Sequence, residues 1–177
     1  MTFTYEKSIE LLKRTPVVLS VMLRDLPREW TTNNEGPDTW SPYDVLGHLI
    51  HGEVTDWITR LDIILSDGEE KTFTPFDRFA QFRESKGKTL HDLLEEFAAV
   101  RESNIQKLQS RNLDESDLDR TGIHPTFGTV TLRNLLATWV VHDLDHISQI
   151  VRVMAYQYRT EVGPWTQYLR ILNTVKS

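Results

Sequence analysis

The chain contains no cysteine. That excludes disulfides, a thiolate nucleophile and thiolate metal ligands together, and leaves histidine, aspartate and glutamate as the residues able to hold a metal. No apolar run approaches the ~18 residues of a membrane span. The start, MTFTYEKSIE, lacks the basic residues and continuous apolar stretch of a signal peptide. A cytoplasmic protein without a membrane partner is expected. The 20 Lys and Arg are outnumbered by 26 Asp and Glu, for a net charge of −6, and form no cluster that would follow a phosphate backbone. Nucleic acid is therefore not an expected partner. Strand-like alternation and internal repeats are also missing, which leaves helices.

What remains is a globular composition: 39% apolar residues, including five Trp and seven Phe, enough for one folded domain spanning 1–177. In RTPVVLSVMLRDLP, Thr15 suits an N-cap and Pro16 the first helical residue, so a first helix carrying Ile9 and Leu12 should be two-part. REWTTNNEGPDT reads as a loop. A second helix opens at WSPYD, with Ser41 as N-cap, Pro42 in the first turn and Asp44 closing a capping box, and should run to about Leu65. A shorter helical piece is expected from TPFDRFAQF. In the third long helix Leu90, Leu93, Leu94, Phe97, Ile105 and Leu108 recur at amphipathic spacing. SRNLDESDLDRTGIHPTFGTV reads as a loop. The fourth helix, Thr131 to about Tyr158, is apolar around most of its circumference and belongs near the centre of a bundle. Gly163-Pro164 should end it, leaving WTQYLRIL as a short terminal helix that packs Trp165, Leu169 and Leu172. The expected fold class is all-α, a four-helix bundle with short accessory helices.

The fourth helix carries the chemistry. In WVVHDLDHISQI, His142 and His146 lie four residues apart, about 40° apart on one face and one turn along the axis, so that both rings can converge on one ion. Their arc also holds Leu135, Trp139 and Val153. In such surroundings a charged imidazolium is costly and neutral ring nitrogens need partners. A divalent metal would satisfy them; so would neighbouring side chains or water. Asp145 falls on a polar strip with Asn134, Ser148 and Arg152, as a solvated residue or an ion-pair partner of Arg152. Asp143 projects among Leu132, Leu136, Ile150 and Met154 and requires a cation or a histidine N–H.

A third ligand must come from elsewhere: His48, His51, His91 or His124. In DVLGHLIHGE, His48 is preferred, because Gly52 one turn away leaves space for a ligand. Against this, the apolar arc of that helix centres on Leu46, Ile50, Trp57 and Ile64, and His48 lies almost opposite. A surface histidine fits that position, and so does a histidine lining a polar cleft. Glu53 sits inside the apolar arc, as the buried partner of an arginine or as a carboxylate facing the site. His91, in a first helical turn, should be exposed. His124 should organise the loop before the fourth helix, with the site as its other destination.

Together, WSPYDVLGHLIHGE, GIHPTFGTVTLRNLLATWVVHDLDHISQIVRVMAYQY and the following VGPW resemble the DinB/YfiT superfamily of bacterial four-helix proteins, over about Leu11 to Leu172. The most specific features are the tryptophan, capping residue and histidine of the second helix, and the HDxxH plus glutamine of the fourth. The resemblance implies a bundle with an unusual long crossover, frequently a dimer, and a divalent ion held by His48, His142 and His146. Some relatives are transferases using bacillithiol or mycothiol, one branch isomerises maleylpyruvate, and others are described as metal-dependent hydrolases.

The expected activity is accordingly that of a zinc- or nickel-dependent enzyme acting on a small molecule. The first reading is S-transfer from a low-molecular-weight thiol, which the chain, lacking cysteine, would receive as a cofactor; Asp143 would orient a ligand. The second is hydrolysis, with Glu53 or Asp145 as general base. A non-catalytic bundle that binds a metal or ligand is the third.

Overall fold

The computed structural model describes residues 2–173. Four long helical units form a bundle: α1 (Tyr5–Leu12) with α2 (Arg14–Leu23), α4 (Pro42–Thr55) with α5 (Trp57–Leu65), α7 (Leu90–Ser110), and α9 (Leu132–Tyr156). Short helices α3 (Arg28–Thr32), α6 (Gln81–Glu84) and α8 (Glu115–Leu118) lie in the connections. Three of the long helices begin with the same device. Ser41, Thr89 and Thr131 each accept from the backbone N–H three residues on, while Asp44, Asp92 and Asn134 bond back, satisfying otherwise orphaned donors at both positions.

Several details differ from expectation. Thr15 caps nothing: α1 and α2 part at Lys13, and the Thr15 hydroxyl instead donates to Asp143 Oδ2 at 2.6 Å. Pro16 still falls in the first turn of α2, where its missing N–H costs little. The stretch expected as a loop contains α3. The second helix is kinked at Asp56 (φ −112°, ψ −70°), although hydrogen bonds from Asp56 N to Gly52 O and from Arg60 N to Asp56 O carry the ladder through. Residues 74–80 are not helical, and only Gln81–Glu84 of that segment coils.

The loop before α9 holds a hairpin that no alternation announced, β1 (Thr121–His124) antiparallel to β2 (Gly128–Thr131), with Thr121 opposite Thr131. Its four-residue strands are too short to show a period. The connection at 66–89 adds to its edge, with Phe73 N donating to Ile123 O and Ile123 N to Lys71 O. Gly122 permits this approach, since a Cβ there would sit 2.5 Å from the Phe73 ring. At the C-terminus α9 stops at Tyr156, well before Gly163, and Gly163–Tyr168 and Arg170–Leu172 form 3₁₀ turns. Trp165 stays 68% exposed, so the expected terminal packing helix does not form. No helix among the described residues is long and apolar enough to cross a membrane.

The core is in two parts, separated by a polar layer. One apolar cluster includes Leu12, Trp57, Ile105 and Trp139; the other includes Leu19, Ile50, Phe97 and Ile150. Each helical unit contributes a buried polar residue to this layer, Thr15, Glu53, Arg101 and Asp143, and hydrogen bonds join them. Arg101 bridges this layer. Its guanidinium donates to Asp143 Oδ2 (2.6 Å) and Oδ1 (3.0 Å), to Glu53 Oε1 (2.8 Å) and to Leu12 O (2.8 Å). Asn104 and the Trp139 indole complete Glu53. Buried charges persist only when partnered in this way; of the guanidinium nitrogens, Nε alone is left without a hydrogen bond.

Candidate metal centre

Beside this polar layer, α4 and α9 bring three imidazoles together. His142 Nε2 lies 3.2 Å from His48 Nε2 and 3.1 Å from His146 Nε2. The helical spacing of His142 and His146 aligns one pair. His48 arrives from the face of α4 opposite its apolar arc, yet is only 5% exposed, because that face is roofed and lines a cleft. A cleft of this kind is what reconciles the position of His48 with a role at the site.

Hydrogen bonding alone serves this cluster poorly, since it would need one proton shared in a three-centre bond. A neutral ring nitrogen carries either one proton or one lone pair, whereas His142 Nε2 faces two other nitrogens. A single cation would meet all three lone pairs. Nitrogens sharing one tetrahedral zinc at about 2.0–2.1 Å stand roughly 3.3–3.4 Å apart, within a few tenths of an ångström of the two separations here. The residues therefore fit a divalent ion, and among the described residues they are the group of three able to do so.

Electrostatics supply the required protonation state. Burial pushes His48 down to about 3 and His142 to about 2, with the neighbouring rings adding to both shifts. Burial also lowers His146, against the hydrogen bond to Gln149 and the charges of Asp145 and Asp143. All three rings are thus neutral near pH 7, as ligands must be. Gln149 Oε1 sits 2.7 Å from His146 Nδ1; the amide oxygen accepts, so Nδ1 carries the proton and Nε2 the lone pair. The other two rings are positioned by aromatic walls. Trp40 and Phe76 pack on His48 at 4.9 and 5.4 Å between centroids, and Trp57 on His142 at 5.2 Å. Gly52 borders the same space, where a Cβ would approach the Trp57 indole to 3.3 Å.

The triad opens onto a cavity of about 1110 Å³ that also reaches the hairpin and the 74–80 segment. Asp145 lines it, is exposed, and does not pair with Arg152, whose guanidinium grips Glu35. Glu53 takes the first of its two expected roles: it is the buried partner of Arg101, with no side-chain exposure, and is not a carboxylate facing the cavity. Asp143 binds Arg101 and Thr15 and hydrogen-bonds none of the three rings directly. His51 turns from the triad to Glu84, with Nδ1 at 2.9 Å from Oε2. His91 is exposed. His124 does both things expected of it, accepting at Nδ1 from the backbone of Thr126 and Phe127 while lining the cavity.

Residue spacing did not point to Asp56, Trp57 or Arg78 as cavity residues. The helical projection placed Trp57 in the core arc, where it also packs. The kink at Asp56 and the loop around Arg78 leave no periodic signal.

The sequence profile of the DinB superfamily matches residues 11–150. The chain belongs to the DinB superfamily. No curated protein matches it. Among solved structures, YfiT from Bacillus subtilis, described as a probable metal-dependent hydrolase with an unusual four-helix bundle topology, superposes with a TM-score of 0.72 at 21% identity, over 90% of this chain and 91% of that one. The DinB four-helix bundle is thus shared, and the three histidines of this DinB chain occupy two of its long helical units.

Proposed function

We propose that the protein is a divalent-metal-dependent enzyme in which His48, His142 and His146 hold the ion and the adjoining cavity takes a small-molecule substrate. The convergence of three neutral Nε2 atoms on the wall of a large cleft carries this reading. Three imidazoles suit zinc or nickel and leave a coordination position to a guest. Bound there, the ion would supply Lewis acidity and lower the pKa of a coordinated thiol or water.

The favoured reaction is S-transfer from a low-molecular-weight thiol to an electrophile. Glu53 is locked beneath the site, so the reading preferred is the one that needs no carboxylate base from that position. The chain's own contribution is positional. Gln149 fixes the His146 tautomer, Trp40, Phe76 and Trp57 hold the rings and exclude water, and Asp143, through Arg101, anchors α9 against α4 and α7. Asp143 is a positioning residue in this scheme. Hydrolysis is the second reading. It is favoured by Asp145, a carboxylate that lines the cavity, and by the description of the Bacillus subtilis protein.

The test is metal analysis of the purified protein followed by thiol consumption with several low-molecular-weight thiols and an electrophile. Consumption abolished in His142→Ala and retained in His91→Ala supports transfer. Product formation without thiol, lost in Asp145→Asn, supports hydrolysis.

A further inference from the structure

We propose that Arg78 holds an anionic group, a carboxylate or a phosphate, on the small molecule that enters this cavity. The inference rests on the cavity being the substrate site. It names the class of substrate: a planar apolar body bearing a negative charge.

Three arginines line the cavity, and two are committed. Arg152 grips Glu35 through Nε and Nη2 at 3.0 to 3.2 Å. Arg60 Nε lies 2.6 Å from Asp56 Oδ1, and its guanidinium covers the Phe73 ring at 5.2 Å. Arg78 has neither an ion-pair nor a hydrogen-bond partner among the described residues. Asp38 and Asp145 line the same cavity without engaging it.

The position of Arg78 is set by its neighbours. Two residues earlier, Phe76 packs edge-on against His48 and lies 4.9 Å from the His51 ring. Asp77 clamps the segment, accepting from Phe79 N at 3.0 Å and from Arg83 at 2.7 Å. Arg78 and the three histidines line the same cavity, and its charge contributes to lowering both His48 and His146. A guanidinium offers forked donors that match a carboxylate or phosphate. In the same cavity Trp40, Trp57, Phe76, Phe79 and Phe127 supply aromatic surface for the ligand body. Since Arg78 is exposed, water and salt screen the contact, and its effect should be moderate and salt-sensitive.

The test uses the full chain, metal-loaded and chelated, with benzoate, phenyl phosphate and the neutral analogue benzamide as probes, followed by calorimetry or by the fluorescence of the cavity tryptophans. At least one anion should bind the wild type about fivefold or more tighter than benzamide. Arg78→Gln should remove that preference and Arg78→Lys restore part of it. Arg111→Gln, which removes a charge from a surface pair with Asp62 outside the cavity, should leave it intact. Whichever anion shows the effect identifies the group. The preference should survive chelation, and the metal content of Arg78→Gln should equal that of wild type, so the anion site and the metal centre can fail separately. A wild type indifferent to charge, absence of anion binding, or an Arg78→Gln variant that keeps the preference overturns the proposal.

Discussion

Arg101 and Asp143 meet through two hydrogen bonds, at 2.6 and 3.0 Å, in a part of the bundle where neither side chain is more than 2% exposed. The same guanidinium reaches Glu53. One cation from α7 thereby ties together the two helical units that carry the three histidines, with Asp143 adjacent in sequence to His142.

Removing Arg101 would strand two buried carboxylates. Arg101→Ala is expected to cost about 3–5 kcal/mol of stability, measured by urea denaturation. Replacing Arg101, Glu53 and Asp143 together by apolar residues of similar volume should recover much of that loss. A single-variant cost below about 1 kcal/mol would mean that the layer is not the buried ion network described.

Gln149 acts on the metal through the orientation and tautomer of His146. Gln149→Ala should weaken metal binding by roughly 10- to 100-fold, the usual effect of losing such a partner, while Gln149→Glu, which keeps an acceptor at that position, should retain most of the affinity. A competition titration against a chromogenic chelator reads both. Equal affinity in Gln149→Ala would remove the residue from the site.

Asp56 gives a pH signature of its own. Burial raises its carboxyl to about 6, against the opposing effect of Arg60. An acid whose folded pKa lies above its unfolded value binds its proton more tightly when folded. Its stabilising contribution is therefore present below about pH 4 and is lost as the pH rises through about 6, a change of up to about 3 kcal/mol. The stability of wild type relative to Asp56→Asn should fall between pH 4 and 7. A flat or rising difference would contradict the environment assigned to Asp56.

Much of this was legible in the sequence, for identifiable reasons. Capping pairs such as Ser41 with Asp44 are local and fix helix starts without knowledge of the rest. His142 and His146 are placed by helical spacing alone. His48 was ambiguous because its exposure depends on Trp40 and Phe76, which reach it from outside its own helix; Gly52 one turn away favours it, its place opposite the apolar arc counts against it, and the family resemblance decides between them. Glu53 announced itself as a charge within an apolar arc, but its partner lay 48 residues away on another helix. The hairpin and the Asp56 kink escaped because four-residue strands and a single bent residue leave no periodic trace. Arg78 escaped because its significance is the absence of a partner, which only three-dimensional packing reveals.

The most direct test of the metal centre is a zinc or nickel titration of chelator-treated protein, with wild type compared against His48→Ala, His142→Ala, His146→Ala and the exposed control His91→Ala. One ion per chain, lost or severely weakened in each of the first three variants and unchanged in the control, is the expected result. An ion that binds as tightly without His48 as with it, or no stoichiometric ion at all, would contradict the central claim.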